Sequence, residues 1–253
     1  MAVFGPRLLL PAAALFFFSA AGFAVHFPHP PGAWLLSLAS TAAMAAPPLA
    51  ALLRFFGPAR FFAALVLTSA FAFTVESFGV VTGWPYGRFH YGEALGPQLF
   101  GLVPYLLPVS YVPLVVGAAA ATRHPRSRLL WVLRAAVLLT LLDGVLDPGA
   151  ALLGFWVWPE GGPYYGVPAS NYLGWLLSGA ASSAILVLLW PRGVPGPPAL
   201  LDGAILAMAF WTGVAVFGGL LLPALLGVVL ISGLLLRRAG TTYSGCVTFL
   251  KKN

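Results

Sequence analysis

Long apolar runs dominate this chain and constrain its fold more than any other feature. The sequence of 253 residues is 60% hydrophobic and only 8% charged, whereas a soluble domain is typically about 25% charged. A helix of about 20 apolar residues is long enough to cross a bilayer. We therefore predict an all-α, polytopic integral membrane helix bundle of about eight transmembrane helices, at residues 8–25, 33–53, 61–82, 98–121, 129–147, 170–190, 200–217 and 219–236.

Two parts of this arrangement leave alternatives open. The first run follows Arg7 and ends in small residues, so it could be a signal peptide, although it continues toward His26 without a clean cleavage pattern. The last two runs are separated only by residues 217–219, so they are either a tight hairpin or one broken span. We treat residues 1–240 as a single transmembrane domain and residues 241–253 as a short C-terminal tail.

The basic residues predict the orientation. With eight spans, all 13 Lys and Arg residues except Arg88 fall on one side of the membrane. The positive-inside rule then places both termini in the cytoplasm, and a seven-span arrangement would move the C-terminal basic cluster outside. The net charge of +7 does not indicate nucleic-acid binding, because the basic residues are scattered between apolar spans. Cys246 is the only cysteine, which excludes an internal disulfide.

Five of the six carboxylates fall in two aromatic-rich segments, 76–93 and 143–160. Glu76 lies inside the third span, and Asp143 and Asp147 are four residues apart, on one face of the fifth. An acid at such depth is costly and is usually functional. Two close carboxyl groups in a low dielectric do not both ionise readily, so one keeps its proton and is available as a general acid.

Some of these residues also have structural interpretations. Pro148 predicts that the fifth helix ends near Asp147, which could simply cap the loop at the interface. Glu76 could be a buried acid bonded to Arg88 or to a tyrosine. In the same loop, His90 and Glu93 are three residues apart and could share a metal or a proton, although an interfacial hydrogen-bonding role suits His90 equally well.

The two acidic segments resemble each other. Trp84-Pro85 precedes Tyr91-Gly92 with five residues between them, and Trp158-Pro159 precedes Tyr165-Gly166 with the same spacing. The match is either chance or a parallel repeat, which would make a site between two matching halves. Aromatic side chains crowd both segments. They are either the ordinary interfacial belt or faces that stabilise a cation beside protonatable acids.

A family resemblance extends these observations. The run ESFGVVTGWPYGRFHYGEALGPQLFGLVPYLLPVSY (76–111) and the run LLDGVLDPGAALLGFWVWPEGGPYYGVPASNYLGW (141–175) resemble two blocks of the membrane carotenoid 1,2-hydratases. These are the γ-carotene, lycopene and bisanhydrobacterioruberin hydratases. The resemblance implies addition of water across the C1,C2 double bond of an acyclic end group without a redox cofactor. The implied partners are an acyclic or monocyclic carotenoid, water and the lipid bilayer, with other carotenoid-pathway membrane enzymes as further candidates and no nucleic acid.

We accordingly expect a cofactor-independent hydro-lyase of the cytoplasmic membrane, with its site toward the non-cytoplasmic side and no metal. Asp143 or Asp147 would protonate C2, a tertiary cation would develop at C1, and Glu76 would act as base or relay. Arg88 would hold one carboxylate ionised. The expected substrate-binding residues are Trp84, Tyr86, Arg88, His90, Tyr91, Glu93, Trp158, Glu160, Tyr164, Tyr165 and Asn171.

Two other functions fit the same residues. A lycopene-type cyclase would use the same protonation and cation but quench the cation with an internal alkene. A proton-coupled transporter would also carry acids inside the membrane. The chain has no HExxH, dinucleotide-binding or P-loop motif, which argues against the enzyme classes that those motifs define.

Overall fold

The computed structural model describes residues 8–27 and 32–250, without side-chain placements for 108, 109 and 241–250. The described chain forms eight α-helices: α1 Leu9–His26, α2 Trp34–Phe56, α3 Pro58–Thr82, α4 Leu106–Thr122, α5 Arg128–Leu152, α6 Ala169–Leu189, α7 Asp202–Phe217 and α8 Leu221–Leu250. Seven of them are long and apolar enough to cross a membrane, and α4 is a shorter apolar helix of 17 residues. The predicted polytopic helix bundle is confirmed. Arg7, Lys251 and Lys252, which contributed to the predicted orientation, lie outside the described residues.

Four short strands lie in the loops that follow α3 and α5. Strand β1 (His90–Tyr91) pairs antiparallel with β4 (Trp156–Val157), and β2 (Gln98–Leu99) pairs with β3 (Val103–Pro104). The β1–β4 pair joins the two acidic segments that the sequence singles out.

Helix α7 and the C-terminal part of α5, from Leu142 to Ala150, form the buried centre of the bundle. Small residues let the neighbouring helices approach α7 closely, as is common in membrane helix packing. A Cβ added to Gly213 would lie 2.6 Å from the Phe18 carbonyl oxygen of α1. A Cβ added to Gly203 would lie 2.8 Å from Pro48 of α2 and 3.0 Å from Pro113 of α4. Larger side chains at these glycines would therefore push α1, α2 or α4 away.

The structure corrects two predicted helix boundaries. The fourth helix begins at Leu106 rather than near residue 98, because the preceding residues form the β2–β3 hairpin around Gly101, whose φ is +69°. The fifth helix does not end near Asp147 but continues through Pro148 to Leu152. A proline inside a helix is tolerated in membrane bundles, where neighbouring groups can compensate for the lost hydrogen bond.

The last two helices form a tight hairpin, one of the two predicted alternatives. Helix α7 ends at Phe217 and α8 begins at Leu221, and the two helices pack against each other. Gly219 in the link has a φ of +72°, a conformation that glycine adopts without strain. Across this hairpin, Arg238 Nε lies 2.6 Å from Asp202 Oδ1 in an ion pair.

Candidate active site

Asp143 and Asp147 lie one turn apart on α5 and are almost completely buried, with 1% and 2% of their surface exposed. The Asn171 side chain, in the first turn of α6, donates its amide N–H groups to Oδ2 of both aspartates, with 3.0 Å to Asp143. One amide carries two donors, so a single side chain bridges the pair. Asp143 Oδ1 is buried and has no hydrogen-bond partner in the described part of the chain. These three residues form a compact acid cluster.

Glu76 on α3 has a tyrosine as its partner. The Tyr91 hydroxyl donates to Glu76 Oε2 at 2.7 Å. Tyr91 belongs to β1 and pairs with Trp156 of β4, and the two rings meet edge to face at 6.2 Å. The following residue, Gly92, donates its N–H to the Phe155 carbonyl at 2.8 Å. The pairing of β1 with β4 thus fixes the hydroxyl that holds Glu76.

Gly92 is the position where this strand pair requires glycine. A Cβ built there would lie 2.1 Å from the Gly154 carbonyl oxygen, a distance that no side chain tolerates. The close approach of the two loops therefore depends on the missing side chain.

Glu76 also interacts electrostatically with Asp147, so the acid cluster and the Glu76–Tyr91 pair form one charged centre. Tyr86 lies beside it and is 3% exposed. The Trp158 indole N–H donates to the Tyr86 carbonyl at 3.2 Å. Burial raises the pKa of Tyr86 and of Tyr91, and the charge of Glu76 raises both further. Both hydroxyls therefore remain protonated and available as donors at neutral pH.

One face of α6, with three polar side chains and one tryptophan, extends this centre. Asn171, Trp175, Ser178 and Ser182 follow one another at helical spacing, so they share one face. The Tyr111 hydroxyl of α4 lies 2.8 Å from Ser182 Oγ, and the Tyr111 and Trp175 rings are 5.6 Å apart. Polar groups therefore continue from the aspartates toward the middle of the bundle.

A cavity of about 790 Å³ lies next to this centre. It is lined by α1, α2, α3, α4 and α7, by Leu146 of α5 and Trp175 of α6, and by residues of the connecting loops, and its walls are mostly apolar. Among the described residues that line it, Glu76 is the only carboxylate. Tyr86, Tyr111, Trp156 and Trp175 also line it, whereas the two aspartates are not part of the lining. The cavity suits a hydrocarbon guest that meets one carboxyl group.

The other predicted site residues do not join this centre. Arg88 is exposed and forms no ion pair within the described residues, so the expected pairing with an acid is absent. His90 and Glu93 are exposed, and the described residues contain no group of three or more potential metal ligands. The remaining predicted residues outside the centre are Trp84, Glu160, Tyr164 and Tyr165, of which Trp84, Glu160 and Tyr165 are exposed.

The two similar segments occupy unlike environments. Trp84 is 60% exposed, whereas Trp158 is 7% exposed. Tyr91 binds Glu76, whereas the Tyr165 hydroxyl accepts a hydrogen bond from the Leu222 backbone N–H at 3.2 Å. The structure therefore does not form a site between two equivalent halves.

Sequence reasoning did not identify several residues of the centre and cavity. Tyr111 ends the first family-like run but was not singled out, and Ser182 belongs to an apolar stretch without a motif. The cavity walls from α1 and α2 are generic phenylalanine, leucine and small residues. Asn171 was expected to bind substrate, but its bridging of the two aspartates was not anticipated. The spacing of small and polar residues along α6 is the one pattern that could have indicated this face.

Comparison with known proteins assigns the chain to a class. The sequence pattern of the family described as "Carotenoid biosynthesis protein" matches residues 32–234. This match covers most of the chain, so the protein belongs to that family, as the resemblance in the sequence implies. No solved structure matches the chain.

A particular relative is the bisanhydrobacterioruberin hydratase of Haloarcula japonica. The two sequences are 38% identical over 186 residues, which cover 68% of this chain and 62% of that protein. The chain thus spans somewhat less than two thirds of the length of this curated relative.

Proposed function

We propose that this protein is a carotenoid hydratase, a hydro-lyase that adds water across the C1,C2 double bond of an acyclic end group. The observation that carries this proposal is a large apolar cavity with one carboxyl group, Glu76, in its wall. A carotenoid offers neither charge nor hydrogen bonds along its chain, so an apolar cavity suits it. The name of the Haloarcula relative, a hydratase, supports the reaction class.

In the proposed reaction, the protonated Glu76 carboxyl group approaches C2 of the alkene. Its proton and the π electron pair form the new C2–H bond, which leaves a tertiary cation at C1. The oxygen of a water molecule then bonds to C1, and the proton that this water loses returns to the carboxylate. The protein ends in its starting state and the product is a tertiary alcohol. No redox cofactor is needed, because hydration involves no external oxidant or reductant.

This assignment gives Glu76 the role that the sequence suggested for Asp143 or Asp147. The aspartates lie behind the cavity wall, so we propose that they exchange protons with Glu76 rather than contact the alkene. Asn171 holds the two carboxyl groups together. The Tyr91 hydroxyl orients Glu76 so that its second oxygen remains available to the substrate.

The aromatic groups near Glu76 suit the proposed cation. Trp156, Trp175 and Tyr86 line the same cavity as Glu76, and Trp156 packs against Tyr91, the hydrogen-bond partner of Glu76. The face of an aromatic ring attracts a positive charge by about 0.5–2 kcal/mol, and more strongly when water is excluded. A cation at C1 would therefore be stabilised while the water approaches.

The proposal also includes the membrane location. The acidic segments follow the ends of α3 and α5 that the distribution of basic residues assigns to the non-cytoplasmic side of the cytoplasmic membrane. Water is available at that interface, while a long polyene can remain in the hydrocarbon core. Reporter fusions to the β1 and β4 loops test the sidedness independently of activity.

Pigment analysis tests the proposed reaction. The chain is expressed in a host that makes acyclic carotenoids, and extracted pigments are analysed by mass. We expect products heavier by one water for each hydrated end, and no such product with Glu76→Gln. Asp202→Asn, which removes a carboxylate that pairs with Arg238 and is not part of the cavity lining, should retain hydration once activity is normalised to the amount of folded protein.

Other outcomes would contradict the proposal. A product of unchanged mass with a new ring would indicate the cyclase. Unmodified pigment, together with proton-dependent flux in proteoliposomes, would indicate the transporter. Full hydration by the Glu76→Gln variant would contradict the assignment of Glu76 as the proton donor.

A further inference from the structure

A groove with three arginines lies near the N-terminal end of α5, far from the Asp147 end of that helix. It has a volume of about 640 Å³ and is lined by the end of α4, one face of α5 and one residue of α8. Each helix region contributes one arginine, namely Arg123 just after α4, Arg134 on α5 and Arg237 on α8. The proposed reaction uses none of these residues.

Two of the three arginines in this groove, Arg123 and Arg134, are not neutralised by an acid of the described chain. Arg123 and Arg134 form no ion pair within the described residues, which include all six carboxylates of the chain. Arg123 Nε is buried without a hydrogen-bond partner in the described part of the chain, and its guanidinium lies 6.0 Å from the centre of the Trp131 ring. Arg237 Nε donates to the Ala121 carbonyl at 2.9 Å, which fixes its side chain at the groove. Three neighbouring cations repel one another and attract an anion.

An apolar strip on α5 continues from these arginines. Leu130, Leu133, Val137 and Leu141 follow at intervals of three and four residues, so they share one helix face, and all four are exposed. The rise from Leu130 to Leu141 is about 16 Å at 1.5 Å per residue. Half of a hydrocarbon core of ~30 Å is about 15 Å. The strip therefore has the length of a lipid chain in one leaflet.

We propose that this groove binds an anionic phospholipid, with its phosphate among the arginines and one acyl chain along the strip. Basic pockets between transmembrane helices are suited to lipid headgroups, and a free phosphate would leave the apolar strip unused. The basic ends of the helices are expected in the cytoplasmic leaflet, where anionic lipids interact with basic residues. This inference does not depend on the proposed enzymatic function.

Lipid titration of the purified full chain in a non-ionic detergent tests the proposal. Native mass spectrometry counts bound lipid with phosphatidylglycerol or phosphatidylcholine of the same chain length, and inorganic phosphate serves as the soluble anion. We expect phosphatidylglycerol to bind at least about ten-fold more tightly than phosphatidylcholine. Arg134→Gln should weaken its binding by about five-fold, and Arg60→Gln, which changes an exposed arginine on α3, should not.

A second variant distinguishes binding of a whole lipid from binding of free phosphate. Val137→Asn places a polar group in the strip and should weaken phosphatidylglycerol binding while leaving any phosphate binding unchanged. Equal binding of the two lipids by the unsubstituted chain would overturn the proposal without any variant. Equal losses from Arg134→Gln and Arg60→Gln would indicate only general surface charge. Phosphate binding as tight as lipid binding would indicate a free-anion site, and a bound protein would indicate a different partner, so either result would overturn the lipid assignment.

Discussion

Replacing Asn171 with leucine, which keeps the branching at Cγ but has no hydrogen-bond donor, should destabilise the bundle through the two aspartates that the amide bridges. A hydrogen bond to a charged group contributes about 1.5–3 kcal/mol and a neutral one about 0.5–1.5 kcal/mol. With one of the two carboxyl groups ionised, the two bonds of Asn171 together contribute about 2–4.5 kcal/mol. This is a large part of a total stability that is typically 5–15 kcal/mol.

A double-mutant cycle isolates the cause of this loss. In a background that carries Asp143→Asn and Asp147→Asn, both partners are neutral, so Asn171→Leu should cost only about 1–3 kcal/mol. The expected coupling energy is therefore about 1–1.5 kcal/mol. The free energy of unfolding is measured by denaturant titration in mixed micelles, with fluorescence of the tryptophans as the signal.

The measured coupling energy can also contradict the proposed bridging by Asn171. A coupling energy below about 0.5 kcal/mol is the range found for independent sites. Such a value would mean that Asn171 stabilises the protein by packing and does not bridge the acids. A stable Asn171→Leu protein with unchanged unfolding would contradict the geometry of the cluster directly.

Three further predictions concern Tyr91, the buried tyrosines and Asp202. Tyr91→Phe removes the 2.7 Å bond to Glu76 and should slow pigment hydration by about ten-fold, because this bond strengthens from about 0.5–1.5 to about 1.5–3 kcal/mol as the protonated Glu76 becomes a carboxylate during the reaction. Tyr105→Phe, which changes an exposed tyrosine, should leave the rate unchanged. Stability should fall above about pH 10, where unfolded tyrosines ionise but Tyr86 and Tyr91, whose pKa values are raised by burial, still hold their protons. The loss is about 1.4 kcal/mol per tyrosine per pH unit. The melting temperature of Tyr86→Phe should therefore fall less steeply with pH than that of the unsubstituted chain, and an equally steep fall would contradict the role of Tyr86. Asp202→Asn should lower the free energy of unfolding by about 1–2 kcal/mol by breaking the bidentate contact with Arg238, and an unchanged denaturation midpoint would refute that contribution.

The helices were predictable because membrane-spanning helices need long apolar runs, and these runs are local in the sequence. The start of α4 was misplaced because Gly101 and the β2–β3 hairpin interrupt a stretch that is apolar throughout. The end of α5 was misplaced because a local rule for Pro148 does not include the neighbouring helices that stabilise the bundle. Local patterns therefore specify which segments are helical better than they specify where helices end.

The acids were predictable as a group, but their partners were not. Burial cost alone singles out Glu76, Asp143 and Asp147 in so apolar a chain. Whether Glu76 meets Arg88 or a tyrosine depends on the pairing of β1 with β4, whose residues are far apart in the sequence. The bridging by Asn171 likewise depends on how α5 packs on α6. The cavity has no sequence signature, because apolar residues that line a cavity look the same as those that face lipid.

The pairing of β1 with β4 makes the site sensitive to strand register. Successive residues of a strand point to opposite faces, so a slip by one residue would exchange the directions of His90 and Tyr91. Inserting a single residue between Gly87 and His90 would thus place the imidazole of His90 at the position of Tyr91, toward the glutamate, and turn the phenol to the opposite face. The length of this one loop is therefore as strict a requirement for the charged centre as the identity of its acids.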